Sequence, residues 1–153
     1  MPSPTEAELA RLLSQPGNDA CADCGAPRPR WASISIGVFI CSNCAGAHRS
    51  LGTHASVVKS LDLDNWRPEW FQALERMGNA RARAMFEHNV PAHFRRPQAA
   101  PAGALKPAEA LRLEKWVQAK YVLRLFAAPA DLKFPGYAWE TNIFLAAWAR
   151  HLG

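Results

Sequence analysis

No apolar stretch in this chain approaches the ~20 residues needed to cross a bilayer. The longest run, Ile143–Ala149, has seven in a chain of 153 residues. The N-terminus, MPSPTEAELARLL, has no basic segment leading into an apolar core, so no secretory signal is expected. The chain has no internal repeat. Cysteine is sparse, with 4 in the whole chain. Without a sign of export, these thiols are better suited to metal than to disulfides. A thioredoxin-like redox pair is the competing use of one C-x2-C, but it would not account for a second pair.

What is present describes one packed domain. Apolar residues make up 49% of the chain, with 6 tryptophans, and a chain of this length buries roughly two-thirds of its unfolded surface. The formal charge is +5, falling to about +3 when four thiolates and one Zn2+ are counted. This mild basic bias is compatible with an anionic membrane surface, an acidic protein face or nucleic acid, and does not choose among them.

The local patterns give a mostly helical α+β fold. Thr5 and Glu8 match a capping box for a helix over 5–13. Trp31 to Ile36 alternates at period two and Gly37 breaks the run before Val38–Ile40, which predicts a bent pair of strands. Ser42 is placed to cap a helix through Ala45 to Arg49, with Gly52 past its end. Val57–Leu61 reads as a further strand. Helices follow after Asn65 or Trp66, over 80–89, and from Pro107 to about Ala127 after a Pro- and Ala-rich linker at 97–107. A last helix is expected from a Thr141 cap to Leu152. The expected organisation is a domain over 1–127, with a small sheet near the cysteines surrounded by helices. An extension over 128–153 follows, its helix folding back on the domain.

All four cysteines fall in the pattern Cys21-x2-Cys24-x16-Cys41-x2-Cys44. Each pair puts two thiolates on a tight knuckle, and two knuckles offer the tetrahedral sulfur cage that zinc prefers. With four sulfur ligands no coordination position remains for water, so the expectation is one structural zinc rather than a catalytic one. His48 and His54 are expected to pack or hydrogen-bond, and Asn18 and Asp19 to satisfy local backbone donors. Arg49 follows the last cysteine in AGAHRSLGTH. A rigid base beneath a long, planar cation suits presentation to a phosphate. A surface or salt-bridged arginine is the ordinary alternative.

The same residues, with WASISIGVFICSNCAGAHRSLGTHASVVKSLDLDNW, Gly78-Asn79, Phe86-Glu87, Asn89-Val90-Pro91 and Lys120-Tyr121, resemble the Arf GTPase-activating (ArfGAP) domain over roughly 6–126. The resemblance implies a GTPase activator, not itself an enzyme, for GTP-bound Arf-type small GTPases. It implies that Arg49 is an arginine finger supplied in trans, while the GTPase provides magnesium and the attacking water. The absence of a G-x4-G-K-[ST] loop agrees with a chain that binds no nucleotide by itself. Trp31 and Ile36 match positions near the finger, and Asp64 an acidic position that would orient Arg49, touch the GTPase or cap the next helix. Leu51 and Lys59 are weaker candidates for partner contact. The resemblance also implies a cytoplasmic monomer, peripheral on Golgi or other trafficking membranes, with no nucleic-acid partner.

Two positions depart from the family pattern: Arg83 where asparagine is common and Phe86 where tryptophan is usual. Two rival readings remain. One is an adaptor of the same fold that binds an Arf-type GTPase or a membrane without speeding hydrolysis. The other is a GATA-like DNA-binding finger. Its basic tail is missing, since the residues after Cys44 hold few arginines or lysines and soon turn acidic.

Overall fold

The structure is a computed structural model that describes residues 1–92, 96–99 and 105–129. The expected helix from Thr141 therefore lies outside the described residues, as does most of the 128–153 extension. The described elements run α1 (Pro4–Leu13), β1 (Trp31–Ser33), β2 (Val38–Ile40), α2 (Ser42–Ser50), β3 (Val58–Ser60), α3 (Pro68–Arg76), α4 (Gly78–Phe86), α5 (Pro107–Val117) and a π-helical turn at Gln118–Val122. The strands form one antiparallel sheet in the order β2-β1-β3.

The two faces of this sheet build two cores. In register, Trp31 lies opposite Ile40, Ala32 opposite Phe39 and Ser33 opposite Val38. Because side chains alternate across a strand, Ala32 and Phe39 point one way and Val38 and Ile40 the other. Ala32 and Phe39 pack with Leu9 and Leu12 of α1, Leu61 and Leu74. Val38 and Ile40 pack with Ala45 and Ala47 of α2, Met85 and Phe86 of α4, and Trp116, Val117 and Tyr121. The cysteines sit in this second core.

Several local expectations shift. The capping box at α1 is Ser3 with Glu6, not Thr5 with Glu8: Ser3 Oγ accepts from the Glu6 N–H and the Glu6 carboxylate from the Ser3 N–H. Pro4 decides this, because proline fits the first helical position and makes Ser3 the cap. β1 stops at Ser33, and Ile34–Gly37 is a turn closed by Gly37 N–H to Ser33 C=O at 2.8 Å. Gly37 has φ +93°, and a Cβ there would lie 2.6 Å from the Ala73 carbonyl oxygen. Only glycine permits that turn against α3. The helix expected over 80–89 begins earlier and ends sooner, as α4 at Gly78–Phe86.

The expected long C-terminal helix is divided. After α5, Ala119, Lys120 and Tyr121 are all buried, in the π-helical turn at Gln118–Val122. The turn is closed by a bond across five residues, from Leu123 N–H to Gln118 C=O at 2.9 Å. The chain then returns to α4 through Asn89 N–H to Phe126 C=O and Ala128 N–H to Met85 C=O.

Asn18 and Asn79 tie α1, the first knuckle and β2 together. Asn18 is buried and bridges distant segments rather than serving its own turn: it donates to Leu12 C=O and accepts from Asn79 N–H, both at 2.8 Å. Asn79 accepts from Phe39 N–H at 2.8 Å and donates to Ala20 C=O at 2.7 Å. Asn79→Ala leaves these backbone groups buried and unpaired, at roughly 1–3 kcal/mol each. A lower thermal midpoint of the metal-loaded protein is expected, with a total loss of about 2–4 kcal/mol. An unchanged midpoint would contradict the bridging role.

Candidate functional site

The four cysteine sulfurs all lie within 4.8 Å of one another. For bonds of ~2.3 Å to a central ion, tetrahedral geometry asks for sulfurs roughly 3.8 Å apart. Cys24 and Cys41 stand at 3.6 Å. Backbone amides point at the cage: Asp23 N–H donates to Cys21 Sγ and Cys44 N–H to Cys41 Sγ, each at 3.4 Å. Such N–H···S bonds orient metal-ligating thiolates. The cap of α2 is therefore Cys41 and not Ser42.

Four sulfurs this close cannot all be anionic without a cation between them. The Cys21 thiol is held down to about 6 by hydrogen bonding from Cys24, and Cys41 is lowered by bonding from Cys21. Cys24 and Cys44 are pushed up in turn, each chiefly by Cys21. A divalent ion removes that conflict, and the donor set fits one soft or borderline metal with no open position.

Arg49 is exposed in the last turn of α2, and its guanidinium carbon lies 4.8 Å from the centre of the Trp31 ring. Among the described residues no carboxylate forms an ion pair with it. Trp31, Ile36 and Leu51 are partly buried against the core that holds the cysteines, so they share its side of the sheet. Asp64 is placed differently. Its carboxylate accepts from Ser60 N–H at 2.7 Å and so ends β3, without contact to Arg49. Lys59 lies over the ring of Trp70 at 4.8 Å, and its register partner Ala32 belongs to the other core. Arg83 is exposed, while Phe86 is buried and meets Tyr121 edge-on, centroids 4.9 Å apart.

The sequence reading missed a buried polar cluster beneath the cage. Asp23, inside the first knuckle, is fully buried; its Oδ1 accepts from the Tyr121 hydroxyl at 2.6 Å and the Lys120 ammonium at 2.8 Å, and its Oδ2 from His48 Nε2 at 2.7 Å. Burial alone would raise the Asp23 pKa, but Lys120 and then His48 bring it to about 2. Burial and the Asp23 charge push the Tyr121 pKa up, so its hydroxyl keeps its proton. Because Asp23 is a carboxylate, His48 Nε2 carries a hydrogen. Its Nδ1 meets Ser56 Oγ, which meets Ser33 Oγ, both at 2.8 Å. Lys120 also reaches Glu87 at 3.1 Å and Ala22 C=O at 3.2 Å, and Arg96 donates to the same carbonyl at 2.7 Å. Trp116 Nε1 donates to Asp23 C=O at 2.9 Å. The expectation that His48 hydrogen-bonds rather than ligating is met. The Lys120-Tyr121 pair was visible in the sequence, but nothing there joined it to Asp23.

A family model described as "Putative GTPase activating protein for Arf" matches residues 6–130. Mouse stromal membrane-associated protein 1 is 57% identical over 90 residues, covering 59% of this chain and 20% of the relative. Human Arf-GAP with coiled-coil, ANK repeat and PH domain-containing protein 3 is 42% identical over 130 residues, covering 83% of this chain and 14% of the relative. The chain thus spans a fifth or less of the length of these curated relatives. The solution structure of the ArfGap domain of human RIP superposes with a TM-score of 0.70 at 19% identity, over 90% of this chain and 96% of that one, and carries the fold. A putative GTPase activating protein for ADP ribosylation factor from Cryptosporidium parvum is 31% identical with a TM-score of 0.55, over 74% and 86%. With the family model matched along most of its length, this chain belongs to the ArfGAP family.

Proposed function

We propose that the chain stimulates GTP hydrolysis by Arf-type small GTPases, with Arg49 as an arginine finger supplied in trans. The carrying observation is Arg49 itself, an exposed cation on a braced helix, resting on Trp31 with no carboxylate to hold it among the described residues. An exposed cation–π contact is worth ~0.5–1 kcal/mol. That is enough to bias the side chain's direction and too little to keep it from phosphate oxygens. On the GTPase, the guanidinium offsets charge on those oxygens as the γ-phosphoryl group departs, and the GTPase supplies magnesium and water. The chain is then a regulator that lends one side chain to a partner's active site.

Cys21, Cys24, Cys41 and Cys44 hold one structural zinc in this reading. The ion, when bound, supplies a folding clamp and no catalytic water. Trp31, Ile36 and Leu51 form the contact surface around the finger. Asp64 shapes that surface through the loop after β3 rather than by touching Arg49. In this reading the chain acts as a cytoplasmic monomer at Golgi or other trafficking membranes, a setting with which its mild basic balance is compatible. Single-turnover phosphate release from Arf-type GTPases loaded with GTP on liposomes tests the reading. Acceleration by catalytic amounts of the chain is expected, and no acceleration of any Arf-type GTPase would overturn it.

A further inference from the structure

The Asp23 cluster is a costly way to hold a domain together. Removing ions from water costs several kcal/mol each, and well-packed apolar residues often stabilise a core as well or better. What apolar residues do not provide is a fixed direction. Hydrogen bonds fix direction, and the cluster engages α2 through one residue, His48.

His48 immediately precedes Arg49. The helix that carries both is short, Ser42–Ser50, and includes an exposed glycine, Gly46. Arg49 sits in its last turn, where α-helices fray and where few intrahelical bonds hold the backbone. Here that turn is held from both sides. On one side the buried His48 ring bonds Asp23 and Ser56 and packs against Tyr121, centroids 5.3 Å apart. On the other, Ser50 Oγ donates to the Glu114 carboxylate of α5 at 3.1 Å. The residues on both sides of Arg49 are thus fixed by side-chain bonds, while Arg49 itself remains exposed.

The other end of the cluster comes from the π-helical turn. There Lys120 and Tyr121 both reach Asp23 Oδ1, at 2.8 and 2.6 Å.

We infer that the Asp23–His48 pair, clamped by Tyr121 and Lys120, is the positioning element of Arg49. The pair does not touch the reacting atoms. It fixes the last turn of α2 so that the guanidinium leaves the surface in one direction. The inference rests on the reading of Arg49 as the finger and goes beyond it, because it gives Lys120 and Tyr121 of the π-helical turn a part in positioning the finger.

A double-mutant cycle tests it. Tyr121→Phe removes one hydroxyl from Asp23 and leaves the ring, Lys120 and His48 in place. Misplacing a catalytic group by about 1 Å through a distant substitution costs up to ~10²-fold. Single-turnover GTP hydrolysis on a liposome-bound Arf-type GTPase is expected to show kcat lowered by about that factor, with KM little changed. Metal content should stay at one ion per chain, and the assay should run well below the melting temperature of each variant. In an Arg49→Lys background the same substitution should cost nothing further, because a residue that acts through the finger has no effect once the finger is gone. Ser56→Ala, which frees the opposite edge of His48, should give the same pattern and decides the question should Tyr121→Phe not fold. An equal loss in both backgrounds, or an unchanged kcat in folded protein, would overturn the positioning role while leaving Arg49 in place. An Arg49→Lys chain as active as wild type would overturn the finger reading itself.

Discussion

Arg49→Lys should lower single-turnover GTP hydrolysis by roughly 10³–10⁵, the range an arginine finger supplies. The substitution keeps the charge and most of the length. What it removes is the planar fork that gives two phosphate oxygens parallel N–H bonds at once, and a lysine ammonium does not reproduce that geometry. Arg49 is exposed and makes no ion pair among the described residues. A lysine side chain at this position can rest on the Trp31 ring as the arginine does, so the melting temperature and metal content should not move. A small loss of rate would assign Arg49 to surface attraction, a role in which lysine and arginine are nearly equivalent.

Removal of the metal should unfold the domain. Structural zinc contributes on the order of 10–16 kcal/mol, whereas a whole domain of this size has a net stability of ~5–15 kcal/mol. The cysteines lie in the larger of the two cores, among β2, α2, α4, α5 and the π-helical turn. Loss of the ion leaves four sulfurs within 4.8 Å competing over which is charged, and the knuckle that carries Asp23 loses its anchor. Cys41→Ser separates this effect from helix capping. Cys41 Sγ accepts the Cys44 N–H and caps α2, and serine is itself a favourable cap. The cap is preserved while the thiolate is lost. Loss of cooperative thermal unfolding, in Cys41→Ser as after chelation, therefore points to the metal. A cooperative transition retained in metal-free protein would show that the cage is not structural.

The cage and its neighbours were legible because the constraints are local. Two C-x2-C knuckles need only a few residues each to aim their sulfurs, so spacing alone identifies the donor set. Gly52 was readable for the same reason: it follows α2 with φ +91°, as a residue past a helix end often does. Errors arose where two local signals competed. Ser3/Glu6 and Thr5/Glu8 both satisfy the capping-box pattern, and Pro4 settles the choice. The alternation of Trp31–Ile36 continues past Ser33, but the approach of α3 to Gly37 turns the chain early.

The Asp23 cluster was not legible. Tyr121 and Asp23 are 98 residues apart, and no periodicity relates a charge in a metal knuckle to a lysine in a distant helix. Lys120 would normally be assigned to the surface by its type. It lies in a π-helical turn, which pattern reading at 3.6 residues per turn does not anticipate, and is one of the most buried side chains among the described residues. The role proposed for Arg49 was likewise beyond periodicity, since by pattern alone a single arginine after a cysteine is an ordinary surface residue.

The finger in trans can be read directly from a complex with a GDP-loaded Arf-type GTPase and fluoroaluminate, in which the fluoride species stands in for the departing phosphoryl group. Wild-type chain should bind this complex far more tightly than the GDP form alone, and Arg49→Lys should lose that gain while binding the GTP form much as wild type does. Equal binding of the fluoroaluminate complex by wild type and Arg49→Lys would contradict the assignment.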